Sequence, residues 1–173
     1  MADLSTIANI AEIFGALTII GGVVFAVIQI REFRVQRRQR AAVELMRSFH
    51  DPDLVLAISL IRQLPDGVSA KDLRSKGAEY ERAAIMISTT YESIALLLFR
   101  KMISFNIVCE LTGGLAVVMW RKLAVWADTV REEQRQPSWA EWFQWLAVIL
   151  AREAEHKEVR PAKERFANWR PRD

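Results

Sequence analysis

From Ile13 to Ile30 the chain carries no charged side chain, and Ile7, Ala8, Ile10 and Ala11 extend the apolar character upstream. At about 1.5 Å per residue this run makes a helix roughly 27 Å long, close to the ~30 Å hydrocarbon core of a bilayer. Core helices of soluble proteins rarely run this long without a polar face, and this one has none. A cleaved secretory signal fits no better. Such signals open with positive charge and close on a small-residue cleavage site. Here Asp3 and Glu12 precede the run, and Arg31-Glu32 follow it directly. The expectation is a permanent transmembrane helix with Glu12 at headgroup level.

The flanks set an orientation. Arg31, Arg34, Arg37, Arg38 and Arg40 crowd the C-terminal side against one acid, Glu32. The positive-inside rule then puts the short N-terminus outside and everything after Arg31 in the cytoplasm. The same five arginines are candidates for anionic lipid headgroups, each contributing about 1 kcal/mol near the surface.

On a helical wheel the span sorts its side chains. Ala8, Ala11, Gly15, Thr18, Gly22, Ala26 and Gln29 fall in one narrow arc, while Ile10, Ile13, Leu17, Ile20, Val24 and Ile28 lie opposite. Helices in lipid gain little from burying apolar surface against each other. They associate where backbones approach closely and polar groups meet, which a small-residue arc with Thr18 and Gln29 permits. That arc is the candidate helix–helix interface.

Charged residues make up 26% of the chain, so an ordinary folded domain follows the span. The net charge of +3 leaves no nucleic-acid footprint. One cysteine, Cys109, excludes an intramolecular disulfide and a cysteine-based zinc site. Strand-like alternation is scarce, and the chain reads as all-α. Nothing stops the first helix before Phe49, so residues 31–49 form a basic helical stalk after the 1–30 tail and span. A bundle of four or five helices over 50–157 and a polar, basic tail over 158–173 complete the layout.

Within the bundle, Asp51-Pro52-Asp53 predicts a helix start running to Gln63, and Ser69 to Ser75 a short helical turn. A long helix is expected over Ala78–Met102, with Ala84, Ile87, Tyr91, Ile94 and Leu98 as its core stripe. A short helix over Asn106–Leu111 should end at Gly113-Gly114, before another from Leu115 to Gln134 with Val118, Leu123, Trp126 and Val130 among its apolar positions. Ser138-Trp139-Ala140-Glu141 has the capping-box pattern and predicts a last helix to Lys157. Ile85–Phe99 and Phe105–Trp120 are apolar too, but each holds an acid, Glu92 or Glu110, and both read as core helices.

The segments FHDPD, YESIALLLF and WRKLAVWADTVREEQ…WAEWFQWLA, taken with the span, resemble a family of uncharacterised bacterial proteins. Its members pair an N-terminal membrane anchor with a small cytosolic helical domain of unknown function. The resemblance implies a bacterial inner-membrane location and this architecture, and it assigns no chemistry.

No catalytic constellation emerges from the residues. His50-Asp51 lacks the further histidines of a metal phosphohydrolase, and Glu153-x-x-His156 lacks the second motif and extra glutamates of a di-iron bundle. Phosphate-loop, dinucleotide and nucleophile-elbow patterns are missing. Glu92, set among apolar neighbours, is a candidate buried ion pair with Arg62, Arg121 or Arg131. Trp139, Trp142 and Trp145 are core or docking aromatics. The functional expectation is a non-enzymatic membrane protein without cofactor, metal or nucleic-acid partner. It would self-associate or join a larger membrane complex as scaffold or accessory subunit. An ion-conducting oligomer, with Thr18 and Gln29 lining a pore, and an enzyme are the less favoured alternatives.

Overall fold

The computed structural model describes residues 3–156 and 162–170; side chains of residues 4–11, 16, 34, 35, 37–39, 41 and 42 lie outside that description. Among the described residues every regular element is a helix. The order is α1 (Leu4–Ser48), α2 (Pro52–Arg62), α3 (Ala70–Ser75), α4 (Ala78–Phe99), α5 (Phe105–Gln134), α6 (Glu141–His156) and α7 (Ala162–Arg165).

With no Pro or Gly between Val23 and Asp51 to stop it, α1 runs unbroken from the apolar segment through the basic stalk. It closes where the His50 ring nitrogen Nδ1 bonds the Met46 carbonyl at 2.8 Å. Asp51 Oδ1 then accepts from the Asp53 and Leu54 N–H groups at 2.8 and 3.4 Å, with Pro52 in the first turn of α2. His50-Asp51 is therefore a stop-and-start signal between helices.

Beyond Phe49 the helices enclose one core, and Leu45 at the end of α1 already belongs to it. Tyr91 on α4 is its hub. It stacks on Phe143 of α6 at 4.8 Å, meets Phe49 at 6.4 Å, and its hydroxyl shares a 2.8 Å hydrogen bond with Thr112 of α5. Burial pushes the Tyr91 phenol up to about 12, against the opposing pull of the Thr112 bond. Along α5 and α6 the pairs Trp126–Trp139 and Trp120–Phe143 (both 5.1 Å between rings) and the approach of Leu150 to Gly113 march in opposite directions, so the two helices are antiparallel. The α2–α3 connection is pinned to α5: the Gly67 N–H donates to the Arg121 carbonyl at 2.8 Å, and the Lys122 ammonium donates to the Leu64 carbonyl. Arg74 of α3 joins Glu81 of α4 and Glu133 of α5, which holds its guanidinium above its usual range.

Three expected boundaries move. The Gly113-Gly114 pair does not divide α5. Two glycines cost a helix about 1 kcal/mol each, and here Gly113 lies buried where a Cβ would meet Leu150 Cδ2 at 3.6 Å. Close packing on α6 offsets the weak propensity. Second, α4 stops at Phe99 and not Met102, because Lys101 turns left-handed (φ 57) and the Met102 N–H folds back to the Leu97 carbonyl at 2.9 Å. Third, the capping box does not form. Ser138 lies in a turn, Ala140 is left-handed (φ 55), and Glu141 is the first helical residue instead of the third.

Candidate membrane span and docking surfaces

An apolar helix with nothing against it must be covered by something other than its own chain. Two helices here are long and apolar enough to cross a membrane: Glu12–Phe33 within α1, and α4. None of the apolar window in Glu12–Phe33 is buried against the chain, whereas 39% of the α4 window is. At 1.5 Å per residue Glu12–Phe33 spans about 33 Å, long enough for a bilayer core.

On this span Gly15 and Gly22 have open space where a Cβ would stand, and Ala26 and Gln29 are exposed with them. The Thr18 hydroxyl donates to the Phe14 carbonyl at 2.8 Å, which leaves its oxygen lone pairs as acceptors for a neighbouring donor. The bulky arc is equally open at Ile13, Leu17, Ile20, Val24 and Ile28. Arg31 and Arg40 extend into solvent below the span. The side chains of Ala8, Ala11, Arg34, Arg37 and Arg38 lie outside the described residues.

In the bundle, α6 begins on Ala140, whose methyl group cannot accept a bond from the first turn. Glu92 supplies the missing acceptor from another helix. Its Oε2 accepts from the Phe143 N–H at 2.9 Å, and the Trp142 N–H adds a second bond. These are the two positions an N-cap side chain ordinarily satisfies. The direct partners of Glu92 are thus backbone donors and not a guanidinium. Burial raises its carboxyl above the ordinary carboxylate value; the two backbone bonds and, more weakly, the charge of Arg131 work against that rise. Arg131 itself clamps the same corner. Its Nε donates to the Trp139 carbonyl at 2.7 Å and its two terminal nitrogens to Asp128 and Gln144 at 2.9 Å each. Arg62 and Arg121 take no part; Arg121 approaches Asp66 at 3.6 Å.

The three tryptophans separate. Trp139 turns inward and meets buried Trp126 edge-on. Trp142 and Trp145, both half-buried, gather around the exposed ring of Phe99 at 4.8 and 6.2 Å. Glu92 and the Phe99 cluster could not be assigned from spacing, because both depend on which residues of α4 lie beside the start of α6. The one available signal for Glu92 was an acid flanked by apolar residues, since by spacing Ser138 offered α6 a capping side chain of its own. Among the described residues no three His, Cys, Asp or Glu side chains converge as metal ligands, and the His156 ring bonds the Arg152 carbonyl at 2.7 Å.

A family model described as a domain of unknown function, DUF4760, matches residues 7–149. The chain belongs to the DUF4760 family. No curated protein and no solved structure matches it. The DUF4760 match opens inside α1 and closes inside α6, so the apolar helix and most of the bundle form one family unit, with residues 1–6, the end of α6 and the tail outside it.

Proposed function

We propose that this DUF4760 protein is a single-pass protein of the bacterial inner membrane, N-terminus outside, that acts by binding and not by catalysis. Span, stalk and the edge of the core lie on one uninterrupted helix, and that observation carries the reading. Glu12–Phe33 has no cover within the chain, while the far end of the same helix is fixed by Leu45 and Phe49. A rigid connection of this kind suits a scaffold or accessory subunit, whose bundle must be held at a set distance from the bilayer. Arg31, Arg34, Arg37, Arg38 and Arg40 set the orientation and contact anionic headgroups. Gly15, Thr18, Gly22 and Ala26, with Ala8, Ala11 and Gln29 at the ends of the arc, form the face that meets a neighbouring helix.

Topology is tested with single cysteines in a Cys109→Ser background. Asp3→Cys should react with an impermeant maleimide from outside intact cells, and Lys163→Cys should react only after lysis. The opposite pattern refutes the orientation. Gly15→Leu with Gly22→Leu should weaken association in a bilayer reporter assay; an unchanged signal rejects the helix–helix face. Native pull-down then separates the two roles, since stoichiometric foreign subunits identify an accessory subunit and copies of the chain alone a scaffold.

A further inference from the structure

Between Glu92 and Glu110 the only charged residues are Arg100 and Lys101, and α6 carries none from Trp142 to Ala151. Folding brings these two stretches together. Phe99 lies against Trp142 and Trp145, whose rings are 5.7 Å apart, and Leu96, one turn before Phe99 on the same face of α4, is exposed. Phe99 keeps 55% of its surface open. The α4–α6 edge is therefore apolar and aromatic, with two exposed cations at one end. Among the described residues no acid forms an ion pair with Arg100 or Lys101, and Glu110 binds Arg165 at 2.9 Å. Glu92 is turned into the first turn of α6, and Glu141 stands beside it at the other end of the edge.

We propose that this edge docks on the headgroup boundary of a bilayer containing anionic lipid. The inference rests on reading Glu12–Phe33 as a membrane span. Indole and phenyl rings favour a boundary that is apolar on one side and wet on the other, and the Arg100–Lys101 pair complements anionic headgroups. A second copy is a poorer cover. A two-fold contact along the edge would bring both Arg100–Lys101 pairs together, and one across it would set each pair of cations against the single exposed acid Glu141. Reach follows from the anchor. Residues 34–44 separate the span from buried Leu45, which is about 16 Å of helix. A bundle of this size has a radius of about 17 Å, comparable to that separation, so a bilayer at the span lies within reach of its surface. The tether also holds the edge at high effective concentration beside the lipid.

All six tryptophans lie beyond residue 119 and none in α1, so five signals report on the bundle and one, Trp169, on the tail. The full chain, labelled with fluorotryptophan, is placed in nanodiscs of phosphatidylcholine with or without phosphatidylglycerol, each with and without a doxyl-labelled lipid. The Trp142 and Trp145 fluorine signals are assigned by their loss in Trp142→Phe and Trp145→Phe. Doxyl lipid should broaden both, more in anionic than in neutral discs, and leave buried Trp126 sharp. Arg100→Gln with Lys101→Gln should lower the docked-to-undocked ratio on the order of 30-fold, two cations' worth of surface attraction, with the Trp126 signal unmoved as a check on folding. Absence of broadening in anionic discs overturns the proposal, as does broadening indifferent to the double substitution. Signals that shift with protein density but do not broaden would show that another copy covers the edge, and overturn it equally. Extraction of the chain by alkaline carbonate would reject the span alone. Broadening on added vesicles carrying the same doxyl lipid would still decide the docking.

Discussion

The span in α1 and the helix α4 are both 22 residues long and both apolar enough to cross a membrane, yet the chain treats them oppositely. In α4 the apolar residues repeat on faces that α2, α5 and α6 fill. Ala84, Ile87, Tyr91, Ile94 and Ala95 are buried, and its one acid after the first two turns, Glu92, finds backbone donors on α6. In α1 apolar side chains surround the helix, and the sorted faces differ chiefly in size, with Thr18 and Gln29 as polar groups on the small-residue arc. A helix of the first kind can complete its surroundings within its own chain. The second kind is left uncovered by every other element among the described residues.

Substitutions that strike one region and spare the other would sharpen that contrast. The largest effect should come from Phe143→Ala. The ring is fully buried between Tyr91 and Trp120, and its removal should cost the bundle about 3–5 kcal/mol in detergent unfolding followed by tryptophan fluorescence. Membrane retention should not change. Val23→Arg is the mirror experiment. A cation at mid-span should cost insertion about 2.5–3.5 kcal/mol and reduce the carbonate-resistant fraction, while bundle unfolding stays as it was. If Val23→Arg lowers bundle stability instead, α1 is a core helix and the contrast collapses.

Glu92 gives a smaller effect with a pH signature. Glu92→Ala should cost about 1–2 kcal/mol, as loss of an N-cap does, whereas Glu92→Gln keeps an acceptor for the Phe143 N–H. Because burial raises the folded carboxyl above 4.5, the folded chain holds this proton to higher pH than the unfolded chain. The associated stabilisation is complete below 4.5 and fades as pH climbs through the folded value. Wild type should therefore lose ground to Glu92→Gln as pH rises from about 4 towards neutrality, and a pH-independent difference would contradict this account.

The smallest effect contrasts glycines. Gly114→Ala in α5, with open space at its Cβ, should stabilise the bundle by about 0.5–1 kcal/mol through helix propensity alone. In α1, Gly22 is as open within the chain, so any loss caused by Gly22→Leu has to be read from association in the bilayer and not from unfolding.

Much of the fold was legible in the residues. Periodicity gave the core stripe of α4 from Ala84 to Ile94, and Asp51-Pro52 marked the start of α2 through a side-chain bond that spans three residues. Two of the misplaced boundaries share one cause. Gly113-Gly114 and Ser138 were read by local preference worth about 1 kcal/mol, and contacts with Leu150 and Glu92, distant in sequence, outweighed it, whereas α4 ends on a local turn at Lys101. The candidate surfaces divide in the same way. The small-residue face of the span is a property of one helix and follows from spacing along it.

By itself the sequence determined that one helix carries an uncharged span, a small-residue arc and a basic stalk, because those features depend only on order and pitch. Tertiary structure alone decided that Glu92 completes the first turn of α6. It also parted Trp139 from Trp142 and Trp145 and set the latter two beside Phe99 and the Arg100–Lys101 pair. Those meetings depend on how α4 crosses α6, and helix crossings are fixed by the packing of side chains from several elements at once.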